Sequence, residues 1–500
     1  MTMPTWIPQY EALALEHVTG AGMPSFLTRW SHLEASVWEA RAGLKLAKYL
    51  DVRVTAAADA FATFTRDVMV PTRALNAALI DKALDLQGYE PPPRYRELWR
   101  RWALERRMRP ALASPAAAPL QDLQDQYFAL AWPAAPSPGQ PPAAAWHAAA
   151  EAAARNREPL AQLLVEIVRA RRDLARAAGF ADYRDYRWAE LGRLDFTPAD
   201  VAAVRQAVAE RWPHALRRSP YRGLRPWEVA AAIEARAGQL PWRDVDQLLE
   251  LAGELLASVG LGQEFAALRE GGMLHLRTEA NAELAPVSET FTFPASGRPC
   301  VFVATRGTFE DLPLLLHEVG HAAHDHLSLV AQGDMWNMGA CDELAEMMAN
   351  ATALLPLREA KSMREALLAR WFVQYLPDLC LQDAFAEWVN AQEPAALGAD
   401  ALDARWLALT GTYFGHLDWR GSDASGGWQH SRSLFTSPGY AFAYAFAQVG
   451  AALLLKEPGA DLASAMRLGG SVPLREAVAR LGIPSPLDPA VVGSLVDLVR

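Results

Sequence analysis

Apolar residues recur at three- and four-residue steps along most of the chain. Two examples are WSHLEASVWEARAGLKLAKYL at residues 30–50 and the longer AAAEAAARNREPLAQLLVEIVRARRDLARAAGF at 148–180. The second example reaches Gly179, a residue type that commonly closes a helix. Such spacing places apolar side chains along one face of an α-helix. The pattern therefore predicts helices over most of the chain.

Three short stretches depart from the helical pattern. MLHLRT at 273–278 and PCVFVAT at 299–305 are apolar and flanked by Gly or Pro, which is typical of strands. WPAAPSPGQPPAAAW at 132–146 is rich in Pro and Ala and is interpreted as an irregular connecting segment. We therefore predict an all-α dominated fold with a small β-sheet, divided into regions at 1–131, 132–146 and 147–500.

Composition limits the classes of protein to which this chain can belong. The 500 residues are 51% hydrophobic and carry a formal charge of −10, as expected of a globular protein. No apolar run is long enough to span a membrane, and no secretory signal is evident. The three cysteines favour a reducing compartment, and the negative charge disfavours binding to nucleic acid. We therefore predict a cytoplasmic protein without membrane or nucleic-acid partners, and its oligomeric state is left open.

Four of the eleven histidines stand in the stretch HEVGHAAHDH at 317–326. His317 and His321 are four residues apart, so on a helix both imidazoles project from one face and can bind one Zn²⁺ at about 2.0–2.1 Å. Glu318 follows the first histidine, where its carboxylate can hold a water molecule and accept its proton. The preceding LPLLL would bury the opposite face of the helix. The stretch therefore predicts a zinc site with Glu318 as the general base.

The other polar residues of this stretch have less specific roles. His324 and His326 are predicted to lie beside the ligands or at the surface, and not to bind the metal. Asp325 is placed four residues after His321, either to bond that imidazole or to face solvent. By residue frequencies alone, HExxH occurs in roughly one or two of a hundred chains of this size. The motif alone is therefore moderate evidence. Two histidines also leave a zinc ion short of protein ligands, so a further ligand must come from elsewhere in the chain.

The segment CDELAEMMANATALL at 341–355 offers two candidates for that ligand. Glu343 and Glu346 lie in apolar surroundings, where a carboxylate without a partner is costly to bury. Glu346 is favoured because Ala349 permits close helix packing and Asn350 follows one turn later. Glu343 is the alternative.

These residues resemble a known family. HEVGHAAH followed by LAEMMAN is similar to the oligoendopeptidase F and thimet oligopeptidase family of zinc metallopeptidases, whose pattern is HExGHxxH and a later helix with the glutamate ligand. Further stretches resemble segments of that family in the same order: GFADYRDYRWAELGRLDFTPAD at 179–200, LRPWEV at 224–229, RPCVFVATRGTFEDLPLLLHEVGH at 298–321 and SPGYAFAYAFAQVGAALLL at 437–455. The resemblance covers most of the chain from about residue 160, and the N-terminal helices more loosely.

The resemblance implies both an activity and a fold. His317, His321 and Glu346 would hold zinc, and Glu318 would be the general base of an endopeptidase that hydrolyses short, unstructured peptides. The implied fold has two mostly helical lobes flanking a deep channel, with the small sheet next to the zinc helix. Residues 147–500 would form the catalytic metallopeptidase region.

Tyr440 and Tyr444 fall on the substrate-facing tyrosines of the family, and their spacing places both phenols on one helix face. The alternative is that they are two amphipathic core tyrosines. In one departure from the family, Ser433 stands where the family has a histidine. His416 and His430 are nearby candidates to compensate, but we favour a tyrosine hydroxyl as the replacement donor and treat His430 as a substrate-binding candidate. The departure also permits a second interpretation, a peptide-binding or dedicated peptide-maturation homologue with weak general turnover.

VFVAT at 301–305 is predicted to be an edge strand that pairs with the substrate backbone. It precedes the metal-binding helix by a short turn, and main-chain pairing gives an affinity that tolerates many peptide sequences. Val301, Val303 and Thr305 are therefore candidate substrate-binding residues.

Overall fold

The computed structural model describes residues 6–112, 118–131, 141–457 and 459–499. Helices make up most of these residues, and a three-stranded sheet accompanies them. The predicted fold class, dominated by helices with a small sheet, is confirmed. No helix in the described ranges is both long and apolar enough to cross a bilayer.

The described helices lie before and after the sheet. Those before it are α1 (Trp6–Leu15), α2 (Met23–Leu50), α3 (Thr55–Phe64), α4 (Val70–Leu84), α5 (Arg96–Leu112), α6 (Ala118–Ala131), α7 (Pro142–Ala177), α8 (Tyr183–Glu190), α9 (Pro198–Leu216), α10 (Val229–Ala237), α11 (Val245–Ser258) and α12 (Gly262–Glu270). Those after it are α13 (Asp311–Gln332), α14 (Asp342–Leu354), α15 (Lys361–Ala369), α16 (Leu376–Ala391), α17 (Ala399–Phe414), α18 (Arg432–Thr436), α19 (Ala441–Lys456), α20 (Leu462–Met466), α21 (Leu474–Arg480) and α22 (Pro489–Gly493). A π-helical segment, Arg370–Tyr375, joins α15 to α16.

The predicted glycine cap of α7 is confirmed. Gly179 adopts a φ of +71°, a backbone conformation that glycine reaches without a steric penalty. Its N–H bonds to the carbonyl of Arg176, and the N–H of Phe180 bonds to the carbonyl of Ala175. This pair of bonds satisfies the last carbonyl groups of the helix.

The start of α7 differs from the sequence prediction. Pro142 occupies a first-turn position, where the missing N–H of proline has no helical partner to lose. Residues 142–146 are therefore helical and do not belong to the irregular connection that the sequence predicts. Residues 132–140 of that connection lie outside the described residues.

The sheet has the strands β1 (Leu274–Arg277), β2 (Glu289–Phe293) and β3 (Arg298–Ala304), in the order β1–β3–β2. β1 is parallel and β2 antiparallel to β3. Both predicted strands are confirmed, but the predicted edge position of VFVAT is wrong, because β3 lies between two neighbours that use its backbone groups.

The candidate substrate residues on VFVAT have the environment of a central strand. Val301 and Val303 are fully buried. Thr305 donates both its N–H and its hydroxyl to the carbonyl of Arg277 in β1. These backbone groups are therefore occupied within the sheet, and the predicted pairing of VFVAT with a substrate backbone is wrong.

By its internal contacts, the chain divides into two compact units. Unit 1 contains Met1–Arg106, Gln239–Glu359 and Leu453–Ile483, and unit 2 contains Arg107–Gly238, Ala360–Ala452 and Pro484–Arg500. Each unit draws on three separate stretches of sequence. This division differs from the three consecutive regions expected from the sequence.

Tryptophans form the centre of one core in unit 1. The ring of Trp30 stacks on Trp102 with centroids 4.9 Å apart and meets Trp336 edge-on at 4.6 Å. Trp336 follows α13 by a few residues, and its indole N–H bonds to the carbonyl of Leu27 in α2. The cluster therefore anchors the C-terminal end of α13 to the N-terminal helices.

Candidate metal centre

The stretch HEVGHAAHDH lies on α13, as its spacing predicted. Leu315 and Val319 are fully buried on the apolar side of this helix, and Gly333 ends it with a left-handed φ of 72°. His317 and His321 remain partly exposed, and their rings meet edge-on with centroids 4.7 Å apart. The buried apolar side therefore fixes the direction in which both imidazoles project.

α14 carries the predicted glutamate and packs directly against α13. Gly320, between the two histidines, faces Ala349 and Thr352 with no space for a side chain of its own. The small residues at this crossing allow the two helices to approach closely. As a result, Glu346 stands opposite the histidine pair.

Three side-chain atoms of the site have the spacing of a metal-binding triangle. The Nε2 atoms of His317 and His321 are 3.1 Å apart, and they lie 3.4 and 3.6 Å from Oε2 of Glu346. Tetrahedral ligands at about 2.0–2.1 Å from a metal are roughly 3.3–3.4 Å from one another. The three atoms are therefore already close to the distances that a tetrahedral ion requires.

Among the described residues, these three form the group of His, Cys, Asp or Glu side chains with donor atoms close enough to hold an ion. Glu343 is fully buried but is not part of that group. The geometry therefore favours Glu346 over the alternative glutamate.

The orientation of one imidazole is fixed by α14. Nδ1 of His317 lies 3.0 Å from Oδ1 of Asn350, which can only accept a hydrogen bond. Nδ1 must therefore donate, so Nε2 is the ring nitrogen that faces Glu346 and is left to bind a metal ion. Although burial acts against it, hydrogen bonds from both imidazoles hold the pKa of Glu346 well below its usual value.

Glu318 is buried beside the triangle and is held by strand β2. The hydroxyl of Thr290 lies 2.9 Å from Oε2 of Glu318 and 2.8 Å from its backbone carbonyl. Burial raises the pKa of the Glu318 carboxyl, and the hydrogen bond from Thr290 opposes that rise. Glu318 therefore has a fixed orientation and a raised proton affinity.

The remaining polar residues of the stretch are tied elsewhere. Asp325 accepts a hydrogen bond of 2.6 Å from Thr292 in β2. Burial acts to lower the pKa of His321, but the hydrogen bond and charge of Glu346, followed by the charges of Glu318 and Asp325, raise it. His326 bonds through Nδ1 to the carbonyl of Gly297. His324 is buried, which lowers its pKa to about 3. Neither His324 nor His326 belongs to the metal-binding triangle, as predicted.

Tyr440 and Tyr444 lie in unit 2, where Tyr440 immediately precedes α19 and Tyr444 belongs to its first turn. Their rings contact edge-on with centroids 5.5 Å apart, so both phenols share one face as predicted. The residues between them, Ala441 to Ala443, are buried, whereas both tyrosines are partly exposed. The pair is therefore more accessible than the residues between them.

Ser433, at the position of the family histidine, takes part in a hydrogen-bond chain. Its hydroxyl donates to Oε1 of Gln382 at 3.1 Å, and the hydroxyl of Ser431 donates to the same oxygen at 2.8 Å. Nε2 of Gln382 in turn donates to Asp378 at 2.6 Å. The proton of the Ser433 hydroxyl is therefore directed to Gln382.

The two histidines considered as replacements have different surroundings. His416 is buried, which lowers its pKa to about 4, so it is neutral at physiological pH. His430 is exposed and borders a cavity within unit 2. His430 is thus the accessible one of the two.

Three arginines of unit 2 hold the loop that leads to the tyrosines. Arg171 donates to the carbonyls of residues 434 and 435, Arg187 to that of Pro438, and Arg193 to that of Gly439. Arg187 and Arg193 belong to the GFADYRDYRWAELGRLDFTPAD stretch. This stretch therefore positions the backbone in front of Tyr440.

Sequence reasoning missed the contributions of β2 and Gln382. The segment ETFTF alternates polar residues with phenylalanine, a period-two signal that predicts a half-buried strand. That signal was sufficient to find Thr290 and Thr292. No local pattern identified Gln382, because its partners Ser431 and Ser433 are distant in sequence.

Neither a family model nor a curated protein sequence matches the chain. Solved structures match over nearly its whole length. PZ peptidase A, solved with an inhibitor, has a TM-score of 0.79 at 16% identity, covering 99% of this chain and 96% of the other. A putative oligoendopeptidase F from Bacillus anthracis has a TM-score of 0.75 at 16% identity, covering 98% of this chain and 94% of the other. The M32 carboxypeptidase from Deinococcus radiodurans has a TM-score of 0.62 at 14% identity, covering 94% of this chain and 99% of the other.

These neighbours share a helical peptidase fold. Within that class, the chain has the fold of PZ peptidase and oligoendopeptidase F. The predicted likeness to the oligoendopeptidase fold, mostly helical with a small sheet, is therefore confirmed.

Proposed function

We propose that the protein is a zinc-dependent endopeptidase that hydrolyses short, unstructured peptides. The observation that carries the proposal is the triangle of His317, His321 and Glu346, with atom separations close to those of tetrahedral ligands. The fold shared with peptidases supports the reaction class.

The donor set suits a hydrolytic zinc site. Two imidazole nitrogens and one carboxylate oxygen are three protein ligands, which leave a coordination position for water or substrate. His317, His321 and Glu346 would hold the ion. When bound, the ion would polarise the scissile carbonyl and lower the pKa of the attacking water.

Glu318 would move the proton. Its carboxylate is next to the first ligand and is oriented by Thr290. It would accept a proton from the nucleophilic water and deliver it to the nitrogen of the leaving amine. Because burial raises its pKa, Glu318 binds that proton more strongly than an exposed glutamate would.

A tyrosine would supply the hydrogen bond to the developing oxyanion. The phenols of Tyr440 and Tyr444 are partly exposed, and a phenol stays protonated at neutral pH and can donate. Ser433 is a poorer candidate because its hydroxyl already donates to Gln382.

A second candidate function is a peptide-binding or dedicated peptide-maturation protein with weak general turnover. The observation that favours it is the hydrogen bond from Ser433 to Gln382. Ser433 stands where the family has a histidine, so this position offers neither an imidazole nor an uncommitted hydroxyl to the substrate. Cytoplasmic location and the absence of membrane and nucleic-acid partners stay predictions, and the oligomeric state stays open.

Cleavage of quenched-fluorescent peptides, with and without a chelator, tests the proposal. We expect turnover that a chelator abolishes and added zinc restores. Glu318→Gln should keep one ion per chain, measured by elemental analysis, while losing roughly a thousandfold in turnover. Loss of the ion in this variant would contradict the assignment of Glu318, and tight peptide binding without chelator-sensitive cleavage would favour the second function.

A further inference from the structure

Unit 2 contains a cavity of about 550 Å³ that no step of the proposed reaction uses. Aromatic rings form much of its wall, those of Trp146, Trp406, Phe414 and Trp419. The π-helical segment between α15 and α16 contributes Tyr375, and such interruptions of α-helices are frequently found at functional sites. The volume and the aromatic wall are typical of a site for a small ligand.

Buried polar atoms line this cavity without a partner among the described residues. Gln429 is 1% exposed, and neither Oε1 nor Nε2 of its amide has a hydrogen bond. The buried indole Nε1 of Trp146 also lacks one. Buried donors and acceptors in native proteins are nearly always bonded to protein, water or ligand. The cavity therefore offers two donors and one acceptor to an occupant.

The cavity also has a carboxylate that no cation neutralises. Asp378 accepts a hydrogen bond from Gln382, and no ion pair reaches it within the described part of the chain. Arg157 lines the same cavity but is already paired with Asp400 and Asp403. The cavity thus combines aromatic walls with an uncompensated negative charge.

We propose that this cavity binds an organic cation, a protonated amine or guanidinium carried on an apolar body. Asp378 would pair with the charge, and the faces of the surrounding rings would attract it further. The amide of Gln429 would bond the polar part of the ligand. The cation has two possible sources. One is the basic side chain of a peptide, and this assignment rests on the proposed function. The other is a free amine, and this assignment is independent of the proposed function.

The charge of Asp378 gives the site a pH dependence. Burial raises the pKa of Asp378 to about 6, with the bond from Gln382 opposing the rise. The other charged or titratable groups lining the cavity are Arg157 from α7, Tyr375 from the π-helical segment, Asp403 from α17, and Asp423 and His430 from the segment after α17. Below its pKa Asp378 is neutral, so affinity for a cation falls as the pH falls, whereas affinity for a neutral ligand does not change.

Calorimetric titration with benzylamine and its neutral analogue benzyl alcohol tests the site in the full-length protein. At about pH 8 we expect benzylamine to bind at least roughly tenfold more tightly. At about pH 5 the difference should fall below roughly twofold, because Asp378 is then protonated. Equal binding of the two ligands at the higher pH, or binding of neither, would overturn the proposal without the use of any variant.

Asp378→Asn keeps the shape of the side chain and removes its charge, so it should abolish the preference for benzylamine. Asp423→Asn is the matched control, because this carboxylate borders the cavity but is exposed and bonds to Ser425. The preference of the Asp423→Asn variant for benzylamine over benzyl alcohol should remain within about twofold of the wild-type preference. If both variants lost the preference equally, or if neither lost it, Asp378 would not be the cation partner.

A second pair of ligands distinguishes the two sources of the cation. Acetyl-Gly-Arg-Gly-amide and the same peptide with citrulline are titrated into the Glu318→Gln variant, which prevents cleavage. Preference for the arginine peptide would assign the cavity to a peptide side chain, and preference for benzylamine alone would assign it to free amines. Amine binding without any peptide hydrolysis by the wild type would refute the proposed function and leave the cation site standing. Peptide hydrolysis by a protein that binds neither amine nor arginine peptide in this cavity would refute the cation site and leave the proposed function standing.

Discussion

A Cβ atom on Gly320 would lie 2.8 Å from the Cα atom of Ala349. The helices α13 and α14 are therefore in backbone contact at the residue between His317 and His321. Any side chain at position 320 has to move the two helices apart. Because Glu346 belongs to α14 and the histidines to α13, such a movement would separate the metal ligands.

Gly320→Ala should therefore weaken zinc binding and destabilise the protein. Overpacking of this kind typically costs about 1–3 kcal/mol in the free energy of unfolding. We expect at least a roughly tenfold loss of zinc affinity, which corresponds to about 1.4 kcal/mol. Chelator competition measures the affinity, and denaturant unfolding measures the stability.

The matched control for this prediction is Gly411→Ala in α17. A Cβ at position 411 meets no atom within 4 Å, and alanine in a helix is more stable than glycine by about 0.5–1 kcal/mol. This variant should be as stable as the wild type or slightly more so, with unchanged zinc affinity. Similar behaviour of the two variants would show that the close approach of the helices is not needed for metal binding.

The two glutamates of α14 should differ in their effect on metal content. Glu346→Gln removes the negative ligand atom from the triangle, so zinc should be lost during dialysis. Glu343→Gln alters a buried carboxyl outside the triangle, so zinc should be retained near one ion per chain. Elemental analysis after dialysis makes the comparison, and the reverse order of metal contents would show that the ligand is one helical turn away.

Thr290→Val should impair catalysis without removing the metal. The hydrogen bond from Thr290 lowers the pKa of Glu318, so its loss should raise that pKa. Since the base must be ionised to accept a proton, the acidic limb of the pH profile of kcat/KM should move to higher pH. We expect a shift in this direction, together with a loss of turnover on the order of tenfold.

Two further variants make this prediction specific. Thr290→Ser keeps the hydroxyl and should restore the pH profile of the wild type. Thr292→Val removes the bond to Asp325 from the same strand and should leave the acidic limb in place. A shift of equal size in the Thr292 variant would indicate a general disturbance of β2 and not a loss of contact with Glu318.

Tyr444→Phe should reduce turnover at least tenfold, because one oxyanion donor contributes on the order of a hundredfold or more. Zinc content and KM should change little, since the phenol would act mainly in the transition state. His430→Ala should have a mild effect. A fully active Tyr444→Phe variant beside an inactive His430→Ala variant would assign the donor to the histidine.

Much of the metal centre could be predicted from sequence because its geometry is local. His317 and His321 lie on one helix, where a spacing of four residues fixes their relative direction. Glu346 belongs to another helix, but the small residues at the helix crossing were a readable sign of close packing. The hydrogen bond between His317 and Asn350 was not predicted, because the sequence had suggested Asn350 as a neighbour of Glu346.

The position of VFVAT within the sheet could not be predicted in the same way. Strand propensity depends on the residues themselves, whereas central or edge position depends on which distant segments pair with the strand. β1 was identified, but β2 was not, so β3 was expected to have a free edge. Recognition of the alternating ETFTF segment would have supplied the missing neighbour.

Units 1 and 2 alternate along the chain, so no contiguous piece of the gene encodes either one. The stretch Gln239–Glu359 contains the whole metal-binding triangle, yet unit 1 also needs Met1–Arg106 and Leu453–Ile483 to be complete. A truncation at any internal boundary therefore removes part of a hydrophobic core together with the segment that is cut away. For the same reason, recombination of one contiguous gene segment can transfer the metal centre together with the whole of unit 1 only if the segment encodes nearly the whole chain.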